Sequence, residues 1–430
     1  MIDVDLAIYY NPGIPGVLLI AEDRVIKFGK NYFCPIVLGQ LVHNRYRVLS
    51  LLGWGGYAMV WLAVDQCSSP SPKYVALKIF RGAEKSNDEY SSNEERQLRK
   101  LILERDRGGI GRRNIIELFD AFEVESSNGV HRCLVLEPAG CSFADLVTFE
   151  EFGFDDVVYI FRQCVEAVEY LHSRGISHGD LDLANLVLAL PDFSGLTEAD
   201  VISKLLPDPK GCIIPIKMKD GTPLPPGVPE SICSPCPFYE PKLDLDDLQV
   251  KLIDFGEAFT GTKPDVHTHS RNRPPELIEQ GVASSSSDIW ALGCIFWHLL
   301  TGYPLMSYFE QGSSKERYQG QRKFLSMTRQ ERRGQLTSFL ARKFGQSAVD
   351  DEEYTGAILD VLLNTLEPTP SDRPTAGDLL SYSIFSLIKD VEASPDNNAQ
   401  AVSDSRKPHD PGSPRHVTTK PKTRSNLALD

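Results

Sequence analysis

The sequence predicts an α+β protein in which a β-rich first lobe is followed by a mainly helical second lobe. From Tyr46 to about residue 137, short apolar runs alternate with turns, as in YRVLSLLGWGGYAMVWLAVD, where a glycine-rich turn separates two strands. After Gly140 the apolar residues recur every three or four positions, most clearly in residues 155–175, which predicts a helix that Gly175 ends. A strand-rich part followed by a helix-rich part is typical of α+β folds.

The first lobe is predicted to occupy residues 44–139, after an N-terminal extension of residues 1–43. The extension contains two short apolar runs, VLLIA and RVIKFG, around polar residues, and this pattern predicts a hairpin that leads into the first lobe. Beyond the glycine-rich turn, the expected elements are a strand at 75–80, a charged helix at 92–103 and strands at 115–124 and 133–138.

The second lobe is predicted over residues 140–390, with an insert at residues 191–248. The insert holds 11 of the 29 prolines, so most of it is expected to be extended or loop. One short helix is predicted. Thr197 can cap its first turn, the side chain of Asp200 can bond back to complete a capping box, and Leu196 can pack on Val201. Residues 391–430 are polar with few aliphatic side chains, and we expect them to be disordered.

The composition bounds the partners and the location of the chain. The 430 residues carry 45 basic and 59 acidic side chains, a formal net charge of −14, which argues against direct nucleic-acid binding. The N-terminus has acids where a signal peptide would have bases, and apolar stretches such as ALGCIFWHLL are too short to span a bilayer. Nine cysteines without regular spacing predict reduced thiols. We therefore expect a monomer in the cytoplasm, the nucleus or both, with no membrane partner.

Five polar residues follow one another in the order that phosphoryl transfer from ATP requires: Lys78, Glu94, Asp180, Asn185 and Asp254. Lys78 lies in the predicted strand VALKIF, where its ammonium can neutralise phosphate charge. A carboxylate on the following helix is needed to hold this lysine, and both Glu94 and Glu95 qualify. We favour Glu94, because Leu98 then lies four residues further along the same helix face.

The segment HGDLDLAN, residues 178–185, is the most informative stretch of the second lobe. Asp180 is expected to accept the proton of a substrate hydroxyl, and Asn185 is expected to ligate Mg²⁺. A later apolar strand ends in IDFG, where Asp254 would be the other metal ligand. Mg²⁺ prefers a few oxygen ligands together with substrate phosphates, which suits an amide and a carboxylate.

The glycine-rich turn and a later Glu-Pro-Ala run are the candidate nucleotide contacts. Glycines let the backbone close over phosphates without side-chain clashes, and the residues that serve this purpose are Gly53, Gly55 and Gly56, with Ala58 as a small substitute. Val60 would cover one face of the adenine. The carbonyl of Glu137 and the N–H of Ala139 would bind the adenine edge, and Pro138 lies between them where no N–H is needed.

Three residues further along the chain are expected to have structural roles. Glu276 and Arg373 are predicted to form a buried ion pair that braces the activation segment, here residues 254–276. Asp288 is predicted to cap the backbone of the catalytic loop, here residues 178–185.

Together these motifs resemble those of eukaryotic protein kinases over roughly residues 46–390. Several segments are similar to those of serine/arginine-rich-protein kinases, particularly their fungal relatives. These are GWGGYAMVWLAVD, PLPPGVP, IDFGEAF and RPPEL, together with the long insert before DFG. The resemblance implies a bilobal protein-kinase-like fold, with ATP and Mg²⁺ as cofactors and Ala76 among the ATP-binding residues. It also implies transfer of the γ-phosphate to Ser or Thr in Arg/Ser-rich proteins of the splicing type.

The sequence departs from the family pattern at three positions near the expected base. Gly179 replaces the usual catalytic-loop arginine, which predicts activity without a phosphorylated activation segment. Alanine at Thr260, Thr262, Thr268 and Ser270 is therefore expected to change activity little. Asp182 stands where many kinases place a lysine that helps to hold the γ-phosphate, and its carboxylate is expected to repel that phosphate. Asn272 replaces the tyrosine expected before RPPE.

Three functions remain open from the sequence. An active Ser/Thr protein kinase is favoured, because all five core residues are present. Asp182 and Ala58 favour a pseudokinase, a nucleotide-gated binding module without turnover. HGDLxxxN and RVIKFG are similar to small-molecule phosphotransferases of the aminoglycoside-kinase type, whereas DFG, PPE and DIWALG favour protein substrates.

Overall fold

The computed structural model describes residues 18–20, 32–67, 73–82, 89–104, 108–149, 152–190, 195–205, 213–218, 221–224, 226–233, 248–305 and 322–387. All of them belong to one compact unit, Met1–Lys389. The tail predicted at 391–430 lies outside the described residues, as do the RVIKFG run and several stretches of the insert.

The first lobe is built on a six-stranded antiparallel sheet with the strand order β2-β3-β4-β5-β7-β6. A single helix, α1, follows β5 in the chain and buries Leu98 and Leu101. The predicted helix is confirmed and starts three residues earlier than expected. The elements are β1 Leu18–Ile20, β2 Leu41–Val42, β3 Tyr46–Trp54, β4 Ala58–Asp65, β5 Lys73–Phe80, α1 Glu89–Leu103, β6 Leu118–Ser126 and β7 Gly129–Leu136.

The strand predicted at 115–124 begins later, at Leu118, for a physical reason. Ile115 forms an isolated parallel bridge with Leu252, and the N–H of Ile116 donates to the carbonyl of Leu252 at 3.1 Å. These residues therefore bond to the second lobe, and the chain joins the first-lobe sheet only beyond them.

The second lobe packs its helices around α6, in which Trp290 and Trp297 are fully buried. Phe161 of α3 meets Phe296 of α6 with ring centroids 4.5 Å apart. The elements are β8 Ala139–Ser142, α2 Phe143–Phe149, α3 Phe154–His172, β9 Leu186–Ala189, α4 Glu198–Leu205, β10 Ile213–Met218, β11 Ser231–Cys233, β12 Val250–Leu252, β13 Lys263–Pro264, α5 Pro275–Glu279, β14 Val282–Ala283, α6 Ser285–Thr301, α7 Arg329–Phe344, α8 Gln346–Val349, α9 Glu352–Thr365 and α10 Ala376–Leu379.

The insert helix α4 packs on the first lobe, although it follows a strand of the second. Its N-terminus has the predicted capping box, because the Thr197 hydroxyl donates to Asp200 at 2.6 Å and accepts from the Asp200 N–H at 3.3 Å. Val201 is fully buried in a cluster with residues of β3, β4 and β5, namely Leu49, Leu62, Val64 and Tyr74. Arg47 of β3 forms a bidentate ion pair with Glu198. The insert therefore links the two lobes.

Strand β1 is the described part of the hairpin expected in residues 1–43; the RVIKFG run lies outside the described residues, so the hairpin stays a prediction. Leu18–Ile20 pairs in parallel with Ile216–Met218 of the insert, in a small sheet of order β1-β10-β11. The apolar run VLLIA thus contributes a strand, but its partner lies about 200 residues away in the chain. A short apolar run does not specify its partner, and parallel pairing needs a long connection.

No helix within the described ranges is long and apolar enough to cross a membrane.

Candidate active site

Lys78, Glu94 and Asp254 meet where β5, α1 and the residues after β12 converge. The Nζ atom of Lys78 lies 2.9 and 2.7 Å from the two carboxylate oxygens of Glu94 and 3.1 Å from Oδ1 of Asp254. Glu95, the alternative partner, contacts Arg99 and Arg132 instead. The helix therefore directs Glu94, and not its neighbour, at the lysine.

Burial and charge act against each other in this group. Burial alone would lower the pKa of Lys78, but the carboxylates of Asp254 and Glu94 raise it above its ordinary value. Burial raises the pKa of Glu94, against the opposing effect of Lys78. Lys78 thus remains positively charged at neutral pH, which is the state that can neutralise a phosphate.

The backbone around Asp254 fixes the direction of its side chain. Asp254 has a φ of 66°, in the left-handed region that few non-glycine residues adopt. The N–H of Ile253 donates to the carbonyl of Asn185 at 2.9 Å, so the two expected metal ligands lie on adjoining segments. Phe255 is fully buried, and its ring meets the His178 ring at 5.1 Å in an edge-on contact. A strained residue held by buried neighbours is typical of functional sites.

Asp288 of α6 holds the start of the catalytic loop, as predicted. Its two carboxylate oxygens accept the backbone N–H groups of His178 and Gly179 at 2.8 and 3.0 Å. His172 also contacts Asp288 at 2.9 Å. A buried carboxylate, 2% exposed, thus satisfies two loop amides that would otherwise lack partners.

Asp180 and Asn185 contact each other within the loop. The Nδ2 atom of Asn185 donates to the backbone carbonyl of Asp180 at 2.8 Å and to its Oδ2 at 3.2 Å. The other oxygen of Asp180 accepts the N–H of His269 at 3.0 Å. Burial raises the pKa of Asp180 to about 6, although His178 and the His269 N–H oppose it; Asp254 and Asp182 add to the increase. A carboxyl with this pKa can accept a proton near neutral pH.

The glycine-rich turn borders open space. A Cβ added at Gly53, Gly55 or Gly56 would meet no heavy atom within 4 Å. The N–H of Gly55 donates to the carbonyl of Ala58 at 2.9 Å and closes the turn between β3 and β4. These glycines are therefore not required by protein packing, which fits a turn that a phosphate chain approaches.

The expected adenine contacts line the neighbouring strands. Val60 of β4 lies opposite Lys78 of β5, and Ala76 of β5 lies opposite Leu136 at the end of β7. The side chain of Glu137 is held by Lys251 at 2.9 Å, and Ala139 begins β8, where it pairs with Ala189. The candidate hinge therefore connects the sheets of the two lobes.

The residues present fit Mg²⁺ and ATP. Because the amide nitrogen of Asn185 donates to Asp180, its amide oxygen is the atom that can face a cation, and Asp254 follows Ile253, whose N–H bonds to the Asn185 carbonyl. Within the described part of the chain, no group of three or more His, Cys, Asp or Glu side chains could hold a metal. A Mg²⁺ ion here would therefore take its remaining ligands from phosphate and water oxygens.

Glu276 and Arg373 form the predicted ion pair. Both terminal nitrogens of Arg373 donate to Glu276 at 2.8 Å, and the arginine side chain has no exposed surface. The Ser287 hydroxyl also donates to Glu276 at 2.8 Å. The end of the activation segment is thus anchored to the helical lobe.

The expectation that Asp182 would repel a phosphate is wrong. Asp182 is only 3% exposed, and Arg271 of the activation segment binds it with two hydrogen bonds at 2.6 and 2.7 Å. Its charge is therefore neutralised within the protein. Arg271 was missed in the sequence because it lies 89 residues from Asp182 and in no recognisable motif. The departure at Asn272 is part of the same contact, since its amide donates to Asp182 at 2.9 Å.

The fold and the site together define a protein kinase. Residues 46–197 and 243–385 match the protein kinase domain family, and the chain belongs to that family. A crystal structure of a kinase domain superposes with a TM-score of 0.52 at 20% identity, covering 82% of this chain and 98% of that one. The predicted α+β, two-lobed fold is thereby confirmed.

Kinases of the serine/arginine-rich-protein type are among the relatives, as the sequence predicted. The chain is 30% identical over 190 residues to the serine/threonine-protein kinase spk-1 of Caenorhabditis elegans, covering 42% of this chain and 18% of that protein. It is 30% identical over 183 residues to SRSF protein kinase 3 of Mus musculus, covering 41% and 32%. A serine/threonine protein kinase of Aspergillus fumigatus is 27% identical over 302 residues, covering 68% and 67%. The aligned part thus spans less than a third of the first two relatives.

Proposed function

We propose that the chain is an active Ser/Thr protein kinase that transfers the γ-phosphate of Mg-ATP to hydroxyl groups of a protein substrate. The observation that carries the proposal is the contact of Lys78 with both Glu94 and Asp254, next to the loop that joins Asp180 to Asn185. A cation, its carboxylate partner, a base and two oxygen ligands are the parts that this reaction requires.

Each residue would have one task in the reaction. Bound Mg-ATP supplies the phosphoryl group and a metal that offsets its charge. Lys78 would bind the α- and β-phosphates while Glu94 keeps its ammonium in place. Asn185 and Asp254 would hold the metal through their side-chain oxygens. Asp180 would orient the substrate hydroxyl and accept its proton.

We infer that Arg/Ser-rich proteins, of the kind that act in splicing, are the substrate class. Support comes from the sequence segments that resemble those of such kinases and from a relative named SRSF protein kinase 3. Asp182 is already bound by Arg271, so it is not available to a substrate arginine. The acidic groove that such a substrate needs must therefore be formed elsewhere. A monomer in the cytoplasm or nucleus, without a nucleic-acid or membrane partner, completes the proposal.

The test is phosphate transfer from labelled Mg-ATP to an Arg-Ser repeat peptide. A Lys-Ser peptide of the same length tests the need for arginine, and an aminoglycoside tests the small-molecule alternative. Asp180→Asn is the inactive variant, and Asp155→Asn, at an exposed position of α3, is its matched control. We expect transfer by the wild type and the control, and almost none by Asp180→Asn.

The other outcomes discriminate between the alternatives. Equal transfer by the wild type and Asp180→Asn would refute the assignment of the base. Equal use of both peptides would refute the substrate class but keep the kinase. Mg-ATP binding without transfer to any acceptor would support the pseudokinase.

A further inference from the structure

Gly179 leaves no room for a side chain between the catalytic loop and the activation segment. It has a φ of 82°, and a Cβ built on it would lie 2.9 Å from the carbonyl oxygen of Glu257. Side-chain atoms of Phe259 and Val266 would both be 3.2 Å away. The activation segment itself fills this space, so an arginine that binds a phosphate could not be accommodated. The segment must be held in another way.

Asp182 provides a buried anchor for that segment. Each of its carboxylate oxygens accepts two hydrogen bonds. Oδ1 accepts hydrogen bonds from the N–H of Ala184 at 2.9 Å and from Nη2 of Arg271 at 2.6 Å. Oδ2 accepts hydrogen bonds from Nε of Arg271 at 2.7 Å and from Nδ2 of Asn272 at 2.9 Å. A bidentate contact between a guanidinium and a carboxylate is among the strongest side-chain interactions and fixes geometry as well.

The same stretch of the activation segment contacts the expected base. Two residues before Arg271, the N–H of His269 donates to Oδ1 of Asp180 at 3.0 Å. The hydroxyl of Thr268 donates to the carbonyl of Gly179 at 2.6 Å. Residues 268–272 thus lie along residues 179–182. The ion pair of Arg271 with Asp182 joins these two stretches.

We propose that Asp182 and Arg271 are positioning residues: the ion pair between buried Asp182 and half-buried Arg271 holds residues 268–272 on the catalytic loop, so that the N–H of His269 fixes the carboxylate of Asp180. The proposal rests on the proposed kinase function, because it concerns the same base. It gives a role to a carboxylate that stands where many kinases have a lysine. It also explains how the segment is held although Gly179 excludes an arginine.

Double-mutant analysis separates this pair from its surroundings. Removing one partner of a buried ion pair leaves an uncompensated charge, whereas replacing both partners by neutral groups is milder. Asp182→Asn and Arg271→Gln keep the approximate shapes of the side chains, and an asparagine oxygen can still accept the Ala184 N–H. The double variant should therefore be less impaired than the two single effects combined predict.

The experiment measures kcat, the KM for ATP, and amide hydrogen exchange at His269 in each variant. We expect each single variant to lower kcat about tenfold or more, because a small displacement of the base is costly. The KM for ATP should stay within about twofold, since neither residue is among the nucleotide contacts. Exchange at His269 should become faster, and the double variant should recover part of kcat. Asp155→Asn and Arg333→Gln, both exposed, are the matched controls.

Several results would overturn the proposal. Single variants with wild-type kcat and wild-type exchange would show that the pair does not matter. A loss of kcat with unchanged exchange at His269 would mean that Arg271 acts otherwise than by positioning. Should Asp182→Asn fail to fold, Arg271→Lys, which keeps the charge but loses the bidentate contact, must show an intermediate kcat. If the wild type transfers no phosphate, the proposed function fails, while exchange at His269 still tests the ion pair.

Discussion

The side-chain amide of Asn93 donates to the carbonyl oxygen of Gly256 at 2.8 Å. It also donates to the carbonyl of Ala258 at 2.7 Å. Asn93 is buried in α1, directly before Glu94, and Gly256 lies two residues after Asp254. One side chain thus ties the helix that supports Lys78 to the segment that carries the expected metal ligand.

We expect Asn93→Ala to lower both stability and turnover. It leaves two carbonyls without a donor, which should reduce the free energy of unfolding by about 1–3 kcal/mol. Because α1 and the residues after Asp254 would separate slightly, kcat should fall about tenfold. Urea unfolding and the peptide transfer assay measure the two effects. Ser92→Ala, exposed on the same helix, is the control, and equal behaviour of both variants would contradict the prediction.

The pH dependence of transfer should report the raised pKa of Asp180. A base with a pKa of about 6 is lost as the pH falls through that value, so kcat/KM should fall about tenfold per unit below it. A profile of kcat/KM between pH 5 and pH 8 measures this limb, with circular dichroism at each pH as the control for unfolding. A limb near pH 4 would contradict the expected burial of the base.

The same pKa makes a prediction for stability. The folded pKa of Asp180, about 6, is above its ordinary 3.8, so the folded state binds more protons than the unfolded state between these values. Stability is therefore lost as the pH rises through this window, and at pH 7 the raised pKa of Asp180 lowers the free energy of unfolding by about 3 kcal/mol. Asp180→Asn should thus unfold at a higher temperature than the wild type at pH 7. The difference should shrink towards pH 4, and a difference independent of pH would contradict this assignment.

The four hydroxyl residues of the activation segment should not behave alike. Thr260 and Thr262 are exposed, whereas Thr268 is 7% exposed and donates to Gly179; the side chain of Ser270 is outside the described part of the chain. Thr268→Ala should therefore lower kcat several-fold, because it removes one buried hydrogen bond that contributes about 1 kcal/mol. Thr268→Ser, which keeps the hydroxyl, should restore it, and Thr260→Ala should resemble the wild type. A silent Thr268→Ala would favour the simpler expectation from the sequence.

The insert helix α4 should detach when its buried contact is made polar. Val201 is fully buried against Leu49 and Leu62, so Val201→Asp places a carboxylate in an apolar cluster. We expect faster protease cleavage within the insert while the second lobe stays folded. Ser203→Asp, exposed on the same helix, is the matched control. Equal cleavage of both variants would show that the contact with the first lobe is not required.

Features decided within a few residues could be predicted from the sequence. The cap at Thr197 and Asp200 depends on a spacing of three residues, and the choice of Glu94 over Glu95 depends on which face of one helix is apolar. The change from a strand-rich first lobe to a helix-rich second lobe follows from the change in periodicity after Gly140. These signals are local, so a single sequence contains them.

Contacts between distant residues could not be predicted in this way. Arg271 and Asp182 are 89 residues apart, and Arg47 and Glu198 are 151 apart. No periodicity links such positions, and a surface pair and a buried pair look the same in a sequence. Glu276 and Arg373 are 97 residues apart, but their ion pair was predicted because both residues belong to motifs of the family.

The filled space beside Gly179 has a consequence for control of the protein. If the activation segment is held by the protein's own side chains, its position does not depend on a phosphate that a phosphatase could remove. Such an enzyme would be competent from the moment it folds. Cells would then have to regulate it through synthesis and degradation, through transport between compartments, or by restricting when its targets are delivered.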